Sequence, residues 1–188
     1  ACYQRALTIK PDFVFAHNNL GNALAGQGRH VEAVSHFRQA LALQPACAEV
    51  YNNLGNALKL QGQLEEAEVS YRQARALQPK YAEACSNLGN VLREQGKLGE
   101  AVAAYREALT LLPKNDGIKI KLATVLPVIL ESCRDVDRIR KNFDEQLTIL
   151  LREKLTLSDP VREVGQTNFH LAYHGRNDRE LQVKIAQL

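Results

Sequence analysis

Cysteine is scarce and scattered here: Cys2, Cys47, Cys85 and Cys133 are the only four, and no two stand in a Cys-x-x-Cys spacing. This excludes a cysteine-built metal cluster and favours reduced, mostly buried thiols. The five histidines, His17, His30, His36, His170 and His174, form no His-Glu-x-x-His or other dense ligand spacing. No metal and no cofactor is therefore expected. A Gly-rich phosphate loop and a Gly-x-Ser-x-Gly elbow are both absent, so no complete active site is visible and no catalytic residues are assigned. The longest apolar run, Leu122 to Leu130, is broken by Pro127. It falls far short of the roughly 20 residues a membrane span needs. Charge of one sign is lacking too: 24 Lys and Arg interleave with 21 Asp and Glu, for a net +3. Nothing in that balance suggests a nucleic-acid partner. With no signal-peptide pattern, a cytoplasmic location is expected.

What the chain does have is a period. Pro11, Pro45, Pro79 and Pro113 stand 34 residues apart, and Asn-Leu-Gly-Asn recurs at Asn19–Asn22, Asn53–Asn56 and Asn87–Asn90 at the same interval. A fixed period of this size means a tandem array of small structural units. In residues 14–47, Leu20, Gly21, Leu24, Ala33, Phe37, Ala40 and Leu43 fall at spacings of three and four, which places each set on one helix face. The same slots hold Leu54, Gly55, Leu58, Ala67, Tyr71, Ala74 and Leu77 in 48–81. In 82–115 they hold Leu88, Gly89, Leu92, Ala101, Tyr105, Ala108 and Leu111. Gly28, Gly62 and Gly96 mark the turn between two helices, and each Pro ends the second helix. Each unit is expected to be a helix hairpin, with Leu20, Phe37, Leu54, Tyr71, Leu88 and Tyr105 buried.

The pattern of Leu-Gly in helix A, then Ala, aromatic, Ala and Pro in helix B, resembles the tetratricopeptide repeat (TPR). Three full copies match, at 14–47, 48–81 and 82–115, and residues 1–13 match the end of another through Tyr3, Ala6 and Pro11. The resemblance implies an all-α fold, a right-handed α-solenoid over residues 1–115. One departure concerns the large residue usual early in helix A, which Tyr51 keeps but His17 and Cys85 replace. Both ends read as cut, within a partial repeat at one end and within an amphipathic helix (Leu181, Ile185, Leu188) at the other. A piece of a longer protein is the expectation.

Residues 116–188 are expected to form a non-repeat, mostly helical cap or junction. Leu122 and Ala123 still occupy the Leu-Gly slots, so 116–126 reads as one more helix A before Pro127 breaks the register. Ser132 with Asp135 reads as a capping box opening a long helix with the stripe Val136, Ile139, Phe143, Leu147, Leu150 or Leu151, and Leu155. Asp159-Pro160 starts a short helix that Gly165 ends. The stretch Phe169–Gly175 fits a strand or a helix, and Asn177 with Glu180 caps the last helix.

The candidate binding residues are Asn19, Asn53 and Asn87, with Asn22, Asn56 and Asn90 three residues later on the same face. Asparagine is a poor helix former, so its recurrence inside three helices needs a local reason. One reading is an amide ladder that pairs with the backbone of an extended polypeptide, since each carboxamide both donates and accepts. Packed helices lie about 8–10 Å apart and an extended chain advances about 3.3 Å per residue, so one rung serves roughly every third peptide residue. The other reading is that these side chains bond neighbouring helices and stabilise the stack. A clamp for acidic peptide termini is disfavoured: residues 14–26 hold no Lys or Arg, 48–60 hold only Lys59, and 82–94 only Arg93.

Asn-Leu-Gly-Asn resembles the TPR region of bacterial protein O-GlcNAc transferase and SPINDLY-like proteins. In that family such asparagines line the concave surface and hold protein substrates. Leu126-Pro-Val-Ile, the long helix, Asp159-Pro160 and Phe169-His-Leu-Ala-Tyr-His-Gly-Arg-Asn-Asp-Arg-Glu-Leu-Gln resemble the junction leading to the family's catalytic region. The resemblance implies polypeptide substrates as partners and a parent protein O-glycosyltransferase. Its sugar-nucleotide site would lie mostly beyond this stretch, in strand–helix units absent here, so this stretch alone is expected to be inactive. His170 or His174 would either approach that active site or pack at the junction. Self-association through an exposed terminal repeat is a further expectation, and the alternative is a stand-alone TPR scaffold.

Overall fold

The computed structural model describes residues 2–125, 133–152 and 183–184, and all regular structure among them is helical. The helices are α1 (Cys2–Ile9), α2 (Val14–Gly26), α3 (His30–Leu43), α4 (Ala48–Leu60), α5 (Leu64–Leu77), α6 (Ala82–Glu94), α7 (Leu98–Leu111), α8 (Asp116–Ala123) and α9 (Cys133–Arg152). The chain divides into two compact units, Ala1–Gln95 and Gly96–Leu188.

Period and punctuation act as the sequence predicts. Pro11, Pro45, Pro79 and Pro113 each lie two residues beyond the last residue of α1, α3, α5 and α7. A residue before proline is pushed out of helical geometry, so each helix stops there. Gly28, Gly62 and Gly96 all have φ of 77°. Arg29 and Gln63 donate their backbone N–H back to Leu24 and Leu58 at 3.0 Å, while Gly28 and Gly62 reach Ala25 and Lys59. These paired bonds satisfy the carbonyls left open at a helix end, and they need a left-handed residue that glycine supplies without strain. Side-chain caps are missing at the starts of α2 to α7; Glu32, Glu49, Glu65, Glu66, Glu83 and Glu100 sit in the first turns of α3 to α7 instead, where the helix dipole favours negative charge.

In the first unit α2 packs on α3, α4 on α5, and successive hairpins meet through α3–α4 and α5–α6. The seam is filled by Phe37 and Tyr71, at 1% and 0% exposure, each lying against a glycine of its partner helix. A methyl group on Gly21 would come within 2.6 Å of the Phe37 ring, and one on Gly55 within 2.7 Å of Tyr71. Leu20, Leu54 and Leu88 are buried, as are Leu24, Leu58 and Leu92. Leu43 and Leu77, expected on the apolar face, are exposed instead. Each is the last residue of its helix, beyond the reach of the seam that Ala40 and Ala74 close. In α1, by contrast, no residue is buried, and Tyr3 is exposed.

In the second unit Tyr105, Ala101 and Ala108 are buried on α7, α8 packs on α7, and α9 on α8. Asn115 accepts from the Ile118 N–H at 2.9 Å and so starts α8, a cap not assigned from the sequence. The helix expected at 116–126 is thus present as Asp116–Ala123. On α9 the buried stripe is Phe143, Leu147 and Leu150, which settles Leu150 over Leu151. Lys184 pairs with Asp144 and donates to Thr148 at 3.1 Å, tying residues 183–184 to α9. Ser132, the side chains of Cys133 and Val136, Leu155, the Asp159-Pro160 helix, Phe169–Gly175, Asn177, His170 and His174 lie outside the described residues. Of the other cysteines only Cys85 is buried; Cys47 is half-buried and Cys2 exposed, so the expectation of mostly buried thiols does not hold. Cys2 is exposed because α1 buries nothing.

Candidate polypeptide-binding face

The three A helices of the first unit, α2, α4 and α6, lie side by side, α4 touching both others. The 34-residue period therefore sets equivalent residues in rows across them. Asn19, Asn53 and Asn87 form one row, all half-buried; Asn22, Asn56 and Asn90 form the next, with Asn22 exposed.

Two of the first row are already bonded to the helix before them. Asn53 Nδ2 donates to Asn18 Oδ1 at 3.1 Å, and Asn87 Nδ2 donates to Asn52 Oδ1 at 3.0 Å. Asn18 and Asn52, both buried, then donate forward to Glu49 Oε1 at 3.2 Å and Glu83 Oε1 at 3.4 Å. Tyr81 also hydrogen-bonds Asn52, and burial, aided by Glu83 and Glu49, pushes the Tyr81 hydroxyl up to about 12. The result is a relay, written twice: an amide on one A helix donates back to the previous helix, whose amide donates forward to a carboxylate. Both ends of each relay step satisfy a polar group that would be costly to bury alone. Pairing with neighbouring helices is therefore present for Asn53 and Asn87.

It does not exhaust these side chains. A carboxamide offers two N–H donors and a carbonyl acceptor, so Asn53 and Asn87 each keep one donor and the acceptor. Among the described residues Asn19 and Asn22 have no side-chain hydrogen bond. The reason at Asn22 is one atom. Tyr71 donates its hydroxyl to Asn56 Oδ1 at 2.8 Å, but the equivalent of Tyr71 in the first hairpin is Phe37, which has none. Burial raises the Tyr71 hydroxyl well above its ordinary value, so it stays a donor. Asn90 has a partner as well. One period further along the sequence, Lys121 takes the slot of Asn87 and Thr124 that of Asn90.

At the far end of the A helices, Lys59 forms an ion pair with Glu94 at 3.7 Å. With Glu49 and Glu83 at the near end, the face carries no run of unpaired cations. The relay residues Asn18, Asn52, Glu49 and Glu83 were not singled out from the sequence. Their signal was there, since Asn18 and Asn52, like Glu49 and Glu83, are 34 residues apart.

The tetratricopeptide repeat model matches residues 12–80 and 47–114, together more than half of the 188-residue chain. The chain belongs to the tetratricopeptide repeat family. Solved structures agree on the fold of this TPR protein. A crystal structure of MamA superposes with a TM-score of 0.70 at 21% identity, covering 81% of this chain and 84% of that one. The Arabidopsis OM64 TPR domain gives 0.58 at 26% identity, over 60% and 93% of the two chains. The second TPR domain of human RPAP3, in complex with the HSP70 peptide SGPTIEEVD, gives 0.56 at 27% identity, over 58% and 91%. No curated protein matches the TPR chain. Among the described residues no helix is long and apolar enough to cross a membrane, and no three potential ligands cluster for a metal.

Proposed function

We propose that this TPR module binds extended polypeptide across the A helices through Asn19, Asn22, Asn53, Asn56, Asn87 and Asn90, in the cytoplasm. The observation that carries this reading is the relay. It holds Asn53 and Asn87 in fixed orientation while leaving each a donor and an acceptor, and Asn19 and Asn22 stand in the same rows without a partner. Fixed amides lose little entropy on binding, which favours recognition of a peptide backbone. The RPAP3 neighbour binds a peptide ending in Glu-Glu-Val-Asp, so polypeptide is a ligand of this fold. An acidic terminus fits this chain poorly, because Lys59 is paired and Glu49 and Glu83 edge the face.

The cleanest test uses Asn19→Ala with Asn22→Ala, since neither side chain holds the stack together. Each lost amide–backbone bond is worth about 0.5–1.5 kcal/mol, so the pair should weaken binding of an unstructured peptide library by roughly fivefold or more at unchanged stability. Unchanged affinity would assign the asparagines to the stack alone.

Within this reading the chain is the substrate-selecting region of an O-GlcNAc transferase-like protein glycosyltransferase, and residues 116–188 lead toward its catalytic part. Support comes from Asn-Leu-Gly-Asn in three copies and from the non-repeat helix α9 after the array. Transfer of N-acetylglucosamine from its nucleotide sugar to a protein by the full-length gene product tests the claim. A full-length product with no sugar transfer and no strand–helix region after Leu188 would favour the stand-alone scaffold. The exposed Tyr3, Ile9, Phe13 and Phe15 favour self-association through the first repeat, which sedimentation analysis would detect.

A further inference from the structure

His17 and His36 face each other inside the first hairpin, and polypeptide binding makes no use of them. His17 stands where the later repeats carry Tyr51 and Cys85; His36 stands where they carry Ser70 and Ala104. The pair is thus private to this hairpin. His17 is 7% exposed and engaged at both nitrogens. Its Nε2 lies 2.8 Å from the Pro11 carbonyl oxygen, and its Nδ1 lies 3.1 Å from Nδ1 of His36. A carbonyl only accepts, so Nε2 of His17 carries the proton and donates it. Nδ1 of the same neutral ring is then the acceptor, and His36 donates from its own Nδ1. Each ring is held to one tautomer. One proton added at Nδ1 of His17 only reverses that bond, once His36 moves its own proton to Nε2; a second proton sets two Nδ1–H groups, on two charged rings, against each other.

The charged and titratable groups on the surrounding elements do not relieve that conflict. On the α3 side, Glu32 is held by Arg29 through bonds of 2.6 and 2.5 Å, and Arg38 pairs with Glu66. On α4, Glu49 accepts from Asn18. The α1 side brings Cys2, Tyr3, Arg5, Lys10 and Asp12, with Lys10 over the Phe13 ring. Glu32 and a bond from Gln39 favour a charged His36, but burial first and His17 second act against them and hold the imidazole below its ordinary range.

We propose that the His17–His36 pair is a proton-operated latch. Neutral, it ties α2 to α3 and to the α1–α2 connection at Pro11; doubly protonated, it lets all three go. The sign follows from linkage. A histidine depressed in the folded state takes its proton more readily when unfolded. Its stabilisation is therefore complete above the ordinary value of about 6.5 and is lost as pH falls below it. Each proton taken up on unfolding raises the unfolding constant by up to about tenfold per pH unit in that window.

The test compares the natural chain with H17Y/H36S, which installs the residues of the second repeat, by urea unfolding between about pH 7.5 and 5. Carboxylates common to both cancel in the ratio. The ratio of unfolding constants, natural over variant, should rise about tenfold across the range; a ratio that stays flat would overturn the latch. Should the variant not fold, hydrogen exchange on the natural chain decides. Amides of α2 and α3 should lose protection on acidification before those of α4 and α5, and simultaneous loss would overturn the proposal.

Discussion

Gly55→Ala puts the seam of the second hairpin to the test. The added methyl would meet three Tyr71 ring atoms at 2.7, 2.8 and 2.9 Å, and Tyr71 is fully buried. Carbon atoms rest at about 3.5–4.0 Å, so the ring must retreat by roughly 0.6–1.3 Å into a filled interior. Overpacking of this kind costs about 1–3 kcal/mol. The same movement pulls the Tyr71 hydroxyl from Asn56, 2.8 Å away, and a bond of this type is worth about 0.5–1.5 kcal/mol. Against this, alanine in a helix gains up to about 1 kcal/mol over glycine. The net is a loss of about 0.5–4.5 kcal/mol. Gly26→Ala is the control. It sits in α2 with nothing within 4 Å of its would-be methyl, so only the propensity gain remains, up to about 1 kcal/mol. Urea midpoints at unchanged slope measure both. Opposite signs support the close glycine–aromatic contact; stabilisation by both substitutions would refute it.

Tyr71→Phe should cost about 0.5–1.5 kcal/mol in thermal unfolding, and Phe37→Tyr should gain up to as much by giving Asn22 the hydroxyl that Asn56 already has. Asn52→Ala should destabilise by about 1–3 kcal/mol, because it strands the Asn87 donor; urea unfolding will measure it. Tyr81, raised to about 12 in the folded chain, keeps its proton where the unfolded chain loses it near 10. Its stabilisation should be complete below about pH 10 and fall away as pH rises toward 12, a slope that Tyr81→Phe removes in alkaline denaturation.

How far the sequence carries the structure differs between hairpins and site. Helix bounds, turns and stops were legible because they depend on local rules: proline two residues past a helix, a glycine at positive φ, apolar side chains every three or four residues. The six core side chains followed from the same register, and all six are buried. The fate of Leu43 and Leu77 was not legible, because the register assigns a helix face and says nothing of where the partner helix ends. Asn19 and Asn53 look identical in the sequence, within the same four-residue phrase. They differ in the structure because Asn53 donates to Asn18 on the A helix one period earlier, and the described residues hold no A helix one period before Asn19.

The sequence by itself determined the repeat, the hairpin and the family, since a 34-residue period fixes what each residue meets within its own unit. Only the tertiary structure decided which polar side chains are spent on the stack. Those bonds span 35 and 31 residues, from Asn53 to Asn18 and from Asn18 to Glu49. A few ångströms of helix stacking choose among such partners, and hydrogen bonds weaken steeply with distance and angle. The same holds for His17 and His36, 19 residues apart in sequence, which no spacing rule joins and which packing of α2 on α3 brings to 3.1 Å.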